Sequence, residues 1–390
     1  MTRFDFLFVT SGVPIHQSGG CKVLYALCNE LSKSGYRVGM FFRRGTESIR
    51  DLWLGRAEPK TKVIRILLKI NDSRIGYYTF NPLMRLAYRA MIFPPKFDIV
   101  LSKDVKKIFG THLKNLEIDC LIATNFMEAK FIEHFSSGSV TKILFSQVDE
   151  RIKEYSGSFS NEAIRLYSAV LPMIVINSKT FNSIQPGMRS LMQVGIDTSY
   201  FRVINPPELR ADNRILIRLT KGIQKDPEMG IRALYMINSR LQGVKISAYG
   251  NMDREDVPEF VDFHKSPTSD ELKELYNSAA IFIYPSLFEG MPLSPLEAMA
   301  CGCAVVSTTN GGSEEYIKDS VNGILVPAAD AEIMADKVIQ IVGNRTLRVE
   351  IAQKAALDAM KFGYVNMMHS FLKAISVLKY SSKVIQRSDL

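Results

Sequence analysis

The chain has 390 residues, of which 46% are hydrophobic and 23% are charged. This length exceeds one ordinary hydrophobic core and predicts two domains of a soluble globular protein. No apolar run approaches the roughly 20 residues of a membrane-spanning helix, and the first residues lack the apolar core of a secretory signal, so we expect a cytoplasmic protein. The five cysteines form no C-x-x-C pair, which favours reduced thiols over a zinc site.

The net charge of +9 is unevenly distributed along the chain. Residues 1–190 contain 27 Lys and Arg against 16 Asp and Glu, a net charge of +11, whereas the remainder has 22 against 24, a net charge of −2. This asymmetry predicts that the first half faces an anionic partner. Since no nucleic-acid-binding module accompanies it, we expect an anionic membrane surface or a phosphate-linked acceptor rather than nucleic acid.

Short apolar strands alternate with helical segments along the first half, which predicts a parallel sheet covered by helices. The first helix follows Gly19 and Gly20, where backbone can approach a phosphate or an acceptor, although a tight turn requires glycine too. The nearby His16 has an ordinary surface role in the simpler interpretation. Strands are predicted at residues 4–10, 38–42, 63–70, 98–101, 120–124, 143–145 and 173–176.

Two segments of the first half leave alternatives open. Residues 83–91 form an amphipathic pattern with Arg85 and Arg89 on the polar side, so this helix either packs its apolar face on the domain or lies on a membrane. Polar residues follow the strand at 143–145, where catalytic groups of α/β proteins collect. The candidates there are Gln147, Asp149 and Glu150, with the structural alternative that the acids pair with Arg151 or Lys153.

A second strand–helix series begins after a boundary between residues 190 and 213. Its strands are predicted at residues 214–219, 244–249, 260–263, 281–284 and 304–307. Arg218 lies near the end of the first of these strands, and Lys225 follows a polar loop at the start of a helix. The simplest interpretation of both is that they are solvated cations.

The segment from residue 281 to residue 312 is the most informative. Glu289 and Glu297 bracket a turn whose backbone amides suit an anion such as a phosphate. Ser294 is predicted as the N-cap of a helix with Pro295 in its first position, so Glu297 is also explained as a capping-box acid and Glu289 as a solvated carboxylate. The residues of the turn are Gly290, Met291, Pro292 and Leu293.

This pattern resembles the E-x7-E signature of retaining GT-B glycosyltransferases of the family 4 type. The similarity includes Pro285-Ser286 before the first acid, EGMPL between the acids, and EAMACG and Gly311-Gly312 after them. Residues 195–201 also resemble the hinge stretch G-V-D-x-x-x-F of that family. The resemblance is strong between residues 195 and 336 and thin over the first half.

The resemblance implies roles for individual residues. Glu289 would meet hydroxyls of the donor sugar and Glu297 the nucleotide ribose, while Arg218 and Lys225 would hold the donor diphosphate, with Lys221 as a competitor for Lys225. The first half lacks the family's sugar-contacting His, so Gln147, Asp149 or Glu150 would substitute on the acceptor side. The remaining implied donor-binding residues are Gly250, His264 and Lys265 with the turn 290–293, and the phosphate and acceptor loop contains Gly19 and Gly20.

The implied fold is α/β, with two Rossmann-like domains facing across a cleft and a C-terminal helix crossing back to the first. Residues 1–194, with a return helix at about 363–390, would bind the acceptor, and residues 195–362 would bind the donor. The implied reaction moves a hexose or deoxyhexose from a UDP-, GDP- or dTDP-linked donor to a hydroxyl of a glycan or lipid-linked acceptor, with retention, in cell-surface polysaccharide or glycoconjugate synthesis. No Asp-x-Asp pair is present, so we expect no required metal or cofactor.

Three other interpretations stay open at this point. A non-catalytic glycosyltransferase-like scaffold would keep the fold without the reaction, and a nucleotide-sugar epimerase would use the donor without an acceptor. The basic first half also allows a membrane-surface binding module. For the enzyme we expect a cytoplasmic location, with peripheral binding at the inner membrane face.

Overall fold

The computed structural model describes residues 3–10, 19–42, 98–101, 117–133, 140–152, 160–168, 171–186 and 188–388. The predicted strand at 63–70, the predicted helix at 83–91 with Arg85 and Arg89, and the residues His16 and Lys153 lie outside these ranges. Within them, none of the helices has both the length and the apolar composition that a membrane crossing demands.

The chain divides into two compact units. The first comprises Met1–Ile176, Thr180–Met192 and Met368–Leu390, and the second comprises Asn177–Lys179 and Gln193–Met367. The last helix, α10 (Tyr364–Ser388), begins in the second unit and continues into the first.

The first unit contains a parallel sheet of seven described strands in the order β3-β2-β1-β4-β5-β6-β7. Alternate side chains of β1 and β4 pack against helices in an apolar core that includes Leu7, Leu121 and Ala129. The strands are β1 (Arg3–Thr10), β2 (Val38–Phe42), β3 (Asp98–Leu101), β4 (Glu117–Ala123), β5 (Thr141–Ser146), β6 (Met173–Val175) and β7 (Arg189–Leu191). The described helices that begin in this unit are α1 (Gly19–Lys33), α2 (Phe126–Glu133) and α3 (Ser160–Tyr167), while α4 (Ser178–Asn182) begins in the second unit and ends in the first.

The second unit contains a parallel sheet of six strands in the order β10-β9-β8-β11-β12-β13. Its central strands are buried on both faces and therefore consist of continuous apolar runs, as in β11. The strands are β8 (Arg214–Leu219), β9 (Lys245–Gly250), β10 (Val261–Lys265), β11 (Ile281–Tyr284), β12 (Ala304–Thr308) and β13 (Ile324–Val326). The helices are α5 (Pro227–Arg240), α6 (Ser269–Ser278), α7 (Leu293–Ala300), α8 (Ala331–Gly343) and α9 (Arg345–Ala359).

Both sheets have a point where the strand order reverses, between β1 and β4 in the first and between β8 and β11 in the second. Ligands of doubly wound α/β folds bind beyond the carboxyl ends of the strands at such a point. In the second sheet Ile217 of β8 pairs with Ile283 of β11. Consequently the carboxyl end of β8, with Arg218, lies next to the end of β11, where the loop that contains Glu289 begins.

Three local predictions require correction. Helix α7 begins at Leu293 with Pro292 as its N-cap and no side-chain cap, so the predicted capping box of Ser294 and Glu297 is wrong. Strand β10 continues through His264 and Lys265, because both pair with β9, and these residues are not in a loop. Gly19 and Gly20 are the first residues of α1 rather than a loop before it.

Candidate functional site

Arg218 lies at the carboxyl end of β8, and the hydroxyl of Ser294 orients it. Its Nη1 donates to Ser294 Oγ at 2.9 Å, and its Nε donates to Thr220 Oγ1 at 3.2 Å. The guanidinium also lies 6.0 Å from the ring centre of Tyr284. These contacts with neutral groups hold the side chain, and its positive charge stays available for an anion.

Lys225 and Glu289 form an ion pair in which Lys225 Nζ lies 2.5 Å from Glu289 Oε1. Both side chains are largely covered, with 22% of Lys225 and 10% of Glu289 exposed. The same oxygen accepts hydrogen bonds from Tyr284 Oη at 2.6 Å and from Ser286 Oγ at 2.7 Å. Glu289 is therefore a held, partly buried carboxylate and not the solvated loop acid of the simpler interpretation.

Glu297 is almost fully buried on α7, at 3% exposure, beside a pair of tyrosines. Tyr276 Oη donates to Glu297 Oε2 at a long 3.4 Å, and Tyr249 Oη lies 2.7 Å from Tyr276 Oη. Burial raises the pKa of Tyr249 to about 12 and raises the pKa of Tyr276 well above the usual value for a phenol, so both phenols stay protonated near neutral pH. Sequence reasoning missed these tyrosines, because their partners are more than 20 residues away along the chain.

The turn before α7 leaves backbone donors open. Among the described residues, no hydrogen bond uses the amides of Gly290, Met291, Leu293 or Ser294. Pro292 has no N–H and supplies only the N-cap position. The carbonyl of Gly290 lies so close to Gly312 that a Cβ there would be 2.5 Å from it, which explains the glycine. The first turn of α7 therefore offers amides and the positive end of a helix.

The three other donor-side candidates lie at the carboxyl ends of β9 and β10. A side chain at Gly250 would place its Cβ 1.6 Å from Leu219 O, so only glycine fits. Lys265 Nζ donates to Asp253 Oδ1 at 2.8 Å, and His264 Nε2 lies 3.1 Å from Asp262 Oδ2. Unlike Lys225, neither side chain has a described contact with Glu289.

Lys221 is the alternative to Lys225, and it has a different partner. Its Nζ donates to Asp253, on the carboxylate that also binds Lys265. The pKa of Asp253 is lowered to about 2, mainly by the hydrogen bond from Lys221 and then by that from Lys265. The geometry therefore brings Lys225, and not Lys221, to Glu289.

In the first unit, Gln147 meets the start of α1, while the two acids next to it have structural partners. Gln147 Nε2 donates to Gly20 O at 3.2 Å. Asp149 accepts from Arg151 Nε at 2.9 Å and Nη2 at 2.6 Å, which is the structural alternative considered from the sequence. Glu150 is buried and accepts from the amide of Phe126 at 2.9 Å. Among the described contacts of the three acceptor-side candidates, only that of Gln147 with Gly20 reaches the start of α1.

The site in the second unit thus combines a guanidinium, an ammonium, two carboxylates and a set of open amides. This combination suits a phosphorylated ligand with hydroxyl groups. In the described ranges no group of three or more His, Cys, Asp and Glu side chains is arranged to hold a metal ion.

Residues 236–358 match the model of the family glycosyl transferases group 1. Over this segment the chain is similar to the group 1 glycosyltransferases. The matched segment includes Glu289, Glu297 and Gly250, and it begins after Arg218 and Lys225. The predicted enzyme class is confirmed, and the assignment to family 4 stays a prediction.

Several curated glycosyltransferases resemble the chain over part or most of its length. An N,N'-diacetylbacillosaminyl-diphospho-undecaprenol alpha-1,3-N-acetylgalactosaminyltransferase of Campylobacter jejuni is 32% identical over 103 residues, which are 26% of this chain and 27% of that protein. WcaL of Salmonella typhimurium, a glycosyltransferase assigned to colanic acid biosynthesis, is 25% identical over 68% of this chain and 76% of its own. The first match therefore spans only about a quarter of the relative.

Solved structures confirm the predicted two-domain α/β fold of the chain. Sucrose-phosphate synthase from Thermosynechococcus elongatus superposes with a TM-score of 0.67 over 98% of this chain and 100% of its own, at 14% identity. HepE of Anabaena, in complex with UDP and glucose, superposes with a TM-score of 0.68 over 96% of this chain and 99% of its own, also at 14% identity. At this identity the likeness concerns the fold.

Proposed function

We propose that the enzyme transfers a hexose or deoxyhexose from a nucleotide sugar to a hydroxyl of a glycan or lipid-linked acceptor, with retention at the anomeric carbon. The observation that carries this proposal is the grouping of Arg218, Lys225 and Glu289 around the open amides of α7, at the carboxyl ends of β8 and β11. A diphosphate fits the cations and amides, and a sugar fits the carboxylate.

In this proposal Arg218 and Lys225 stabilise the negative charge that develops on the departing diphosphate. Ser294 holds the guanidinium in place at 2.9 Å, so its charge needs little rearrangement during the reaction. The amides of Met291, Leu293 and Ser294 supply further donors at a helix N-terminus. Glu289 and Glu297 orient the sugar and the ribose, which is a positioning role.

The proposed step breaks the bond between the anomeric carbon and the phosphate oxygen and forms a bond from that carbon to the acceptor oxygen on the same face. The acceptor hydroxyl gives its proton to the departing phosphate. A double displacement would instead need a carboxylate on the opposite face of the sugar. Glu289 is bound by three donors on one oxygen, which favours orientation over nucleophilic attack.

We further propose that the first unit binds the acceptor, and that the enzyme works in the cytoplasm at the inner membrane face. The net charge of +11 on residues 1–190 supports an anionic acceptor or surface. The name of the Campylobacter jejuni relative includes a diphospho-undecaprenol acceptor, which agrees with a lipid-linked acceptor here. The contact between Gln147 and Gly20 is the candidate acceptor-side contact.

A thermal-shift experiment with UDP, GDP and dTDP tests the donor half of the proposal. A ligand that binds only the native protein increases its free energy of unfolding, by about 2.7 kcal/mol at a hundred times its Kd. The melting temperature rises as a result. We expect one nucleotide to stabilise the protein and the others to have little effect. No stabilisation by any of the three at millimolar concentration would contradict the proposal.

The Glu289→Ala variant separates an enzyme from a scaffold. We expect nucleotide release from the matching sugar nucleotide to fall by about 100-fold or more, because the sugar loses its charged partner, while the free nucleoside diphosphate still binds. No turnover in either protein, or the same turnover in Glu289→Ala as in wild type, would favour the scaffold. An epimerised sugar nucleotide released without acceptor would favour the epimerase.

A further inference from the structure

The two oxygens of the Glu289 carboxylate have different surroundings. Oε1 accepts from Lys225 Nζ at 2.5 Å, Tyr284 Oη at 2.6 Å and Ser286 Oγ at 2.7 Å. No hydrogen bond to Oε2 is present among the described residues. Three donors saturate one carboxylate oxygen, so a ligand that approaches Glu289 must use Oε2.

The three donors to Oε1 differ in how firmly they are committed to Glu289. Lys225 is a mobile ammonium that a diphosphate would attract. The single proton of Ser286 has a second acceptor, because its Oγ also lies 2.7 Å from Gln224 O. Tyr284 Oη has no other acceptor in the described part of the chain. Of the three, Tyr284 is the donor that remains when a ligand recruits Lys225.

The position of Tyr284 makes it a rigid and permanently protonated donor. It is the last residue of β11, its side chain is 2% exposed, and its ring stacks at 29° on Phe282 at 6.3 Å. Burial, together with the nearby charge of Glu289, raises the pKa of Tyr284 well above the usual value for a phenol. Two central neighbours, β8 and β12, fix the strand that carries it.

We propose that Tyr284 is a positioning residue of the transfer reaction: its hydroxyl holds Oε1 so that Oε2 faces the donor sugar. This inference rests on the proposed function. A carboxylate only accepts hydrogen bonds, so the sugar group at Oε2 must be a hydroxyl or an amide N–H. Tyr284 thereby acts through Glu289 and does not touch the donor.

The test compares Tyr284→Phe with wild type in UDP release from UDP-glucose, or from GDP- or dTDP-glucose if that nucleotide stabilises the protein. We expect kcat and kcat/KM to fall together by about 10-fold or more, since the interaction matters in the transition state, with KM and the Kd for the free nucleotide within about twofold. Tyr235→Phe is the matched control, because Tyr235 is 56% exposed on α5. An unchanged kcat for Tyr284→Phe would overturn the inference.

A double-mutant cycle separates positioning from general damage. In the Glu289→Ala background we expect Tyr284→Phe to have no further effect on the slow residual rate, because its partner is gone. Equal rate losses in both backgrounds would overturn the inference, even if the variant also melts at a lower temperature. The proposed function fails separately, if wild type neither binds a nucleoside diphosphate nor releases one from a sugar nucleotide.

Discussion

The ion pair of Lys225 and Glu289 combines two charges that water hardly reaches. Removing a charge from water is unfavourable unless a partner compensates it, and here each group compensates the other at 2.5 Å. A diphosphate would bring further negative charge to the same place, next to Arg218. Lys225 can then stabilise the ligand, while Tyr284 keeps Glu289 hydrogen-bonded.

The roles of Lys225 and Lys221 can be compared directly in the variants Lys225→Ala and Lys221→Ala. We expect Lys225→Ala to lower kcat/KM for the sugar nucleotide by about 100-fold, because a donor to the departing phosphate is lost. Lys221→Ala should change it by less than about threefold, since Lys221 forms an exposed ion pair with Asp253. Initial rates of nucleotide release measure both. A larger loss in Lys221→Ala would assign the phosphate to that residue instead.

The charged residues of the site could be predicted from the sequence, but the hydroxyls that hold them could not. The spacing of Glu289 and Glu297 lies within one turn and helix, so local pattern suffices. Ser294 binds Arg218 from 76 residues away, and Tyr276 meets Glu297 from 21 residues away. Such partners depend on the strand order of the sheet, which the residues of one segment do not encode.

At the scale of single elements, the alternation of strands and helices predicted both parallel sheets, whereas element ends were less accurate. Ser294 is a residue type that favours the N-cap position, but α7 starts before it, at Leu293. The Ser294 hydroxyl instead accepts a hydrogen bond from Arg218. The short strand β13 escaped prediction because Ile324–Val326 has too few residues for a visible period. Pairing with β12, a contact distant in sequence, makes it a strand.

Glu150 follows β5, and its buried carboxyl contacts the start of α2. This carboxyl makes the stability of the protein depend on pH. Burial raises the pKa of Glu150 to about 8, and its oxygen accepts from the amide of Phe126 at the start of α2. The folded state therefore holds a proton that the unfolded chain releases above its ordinary pKa of 4.5. The stability that this proton contributes is complete below that value and is lost as the pH rises through about 8.

Glu150→Gln removes this titration and keeps an oxygen for the Phe126 amide. We expect the stability of wild type relative to Glu150→Gln to decrease from about pH 5 to about pH 8, by at most about 1.4 kcal/mol per pH unit. Melting temperatures of both proteins across this range measure the difference. Asp149→Asn is the control, because Asp149 is partly exposed and paired with Arg151. A constant difference between Glu150→Gln and wild type would contradict the buried, protonated carboxyl.

At the scale of the whole molecule, charge and chemistry are divided between the two halves of the chain. Residues 1–190 carry a net charge of +11, and the donor-side residues lie in the half with a net charge of −2. In the proposed function, a few placed groups would therefore bind the anionic donor, whereas the excess of positive charge is spread over the first half. Diffuse charge of this kind attracts an anionic surface and is screened by salt.

Sedimentation with liposomes tests whether that charge serves membrane binding. We expect binding to vesicles with anionic lipids at about 50 mM salt, loss of binding at about 500 mM, and no binding to neutral vesicles. Arg85→Gln with Arg89→Gln should weaken binding by about 30-fold, since each basic residue near the membrane surface contributes about 1 kcal/mol. The matched control, Arg232→Gln with Lys318→Gln, removes the same charge from exposed positions of the second unit and should change binding by less than about twofold. Equal losses in both double variants would mean that net charge alone acts, and binding that resists salt would point to an apolar contact instead.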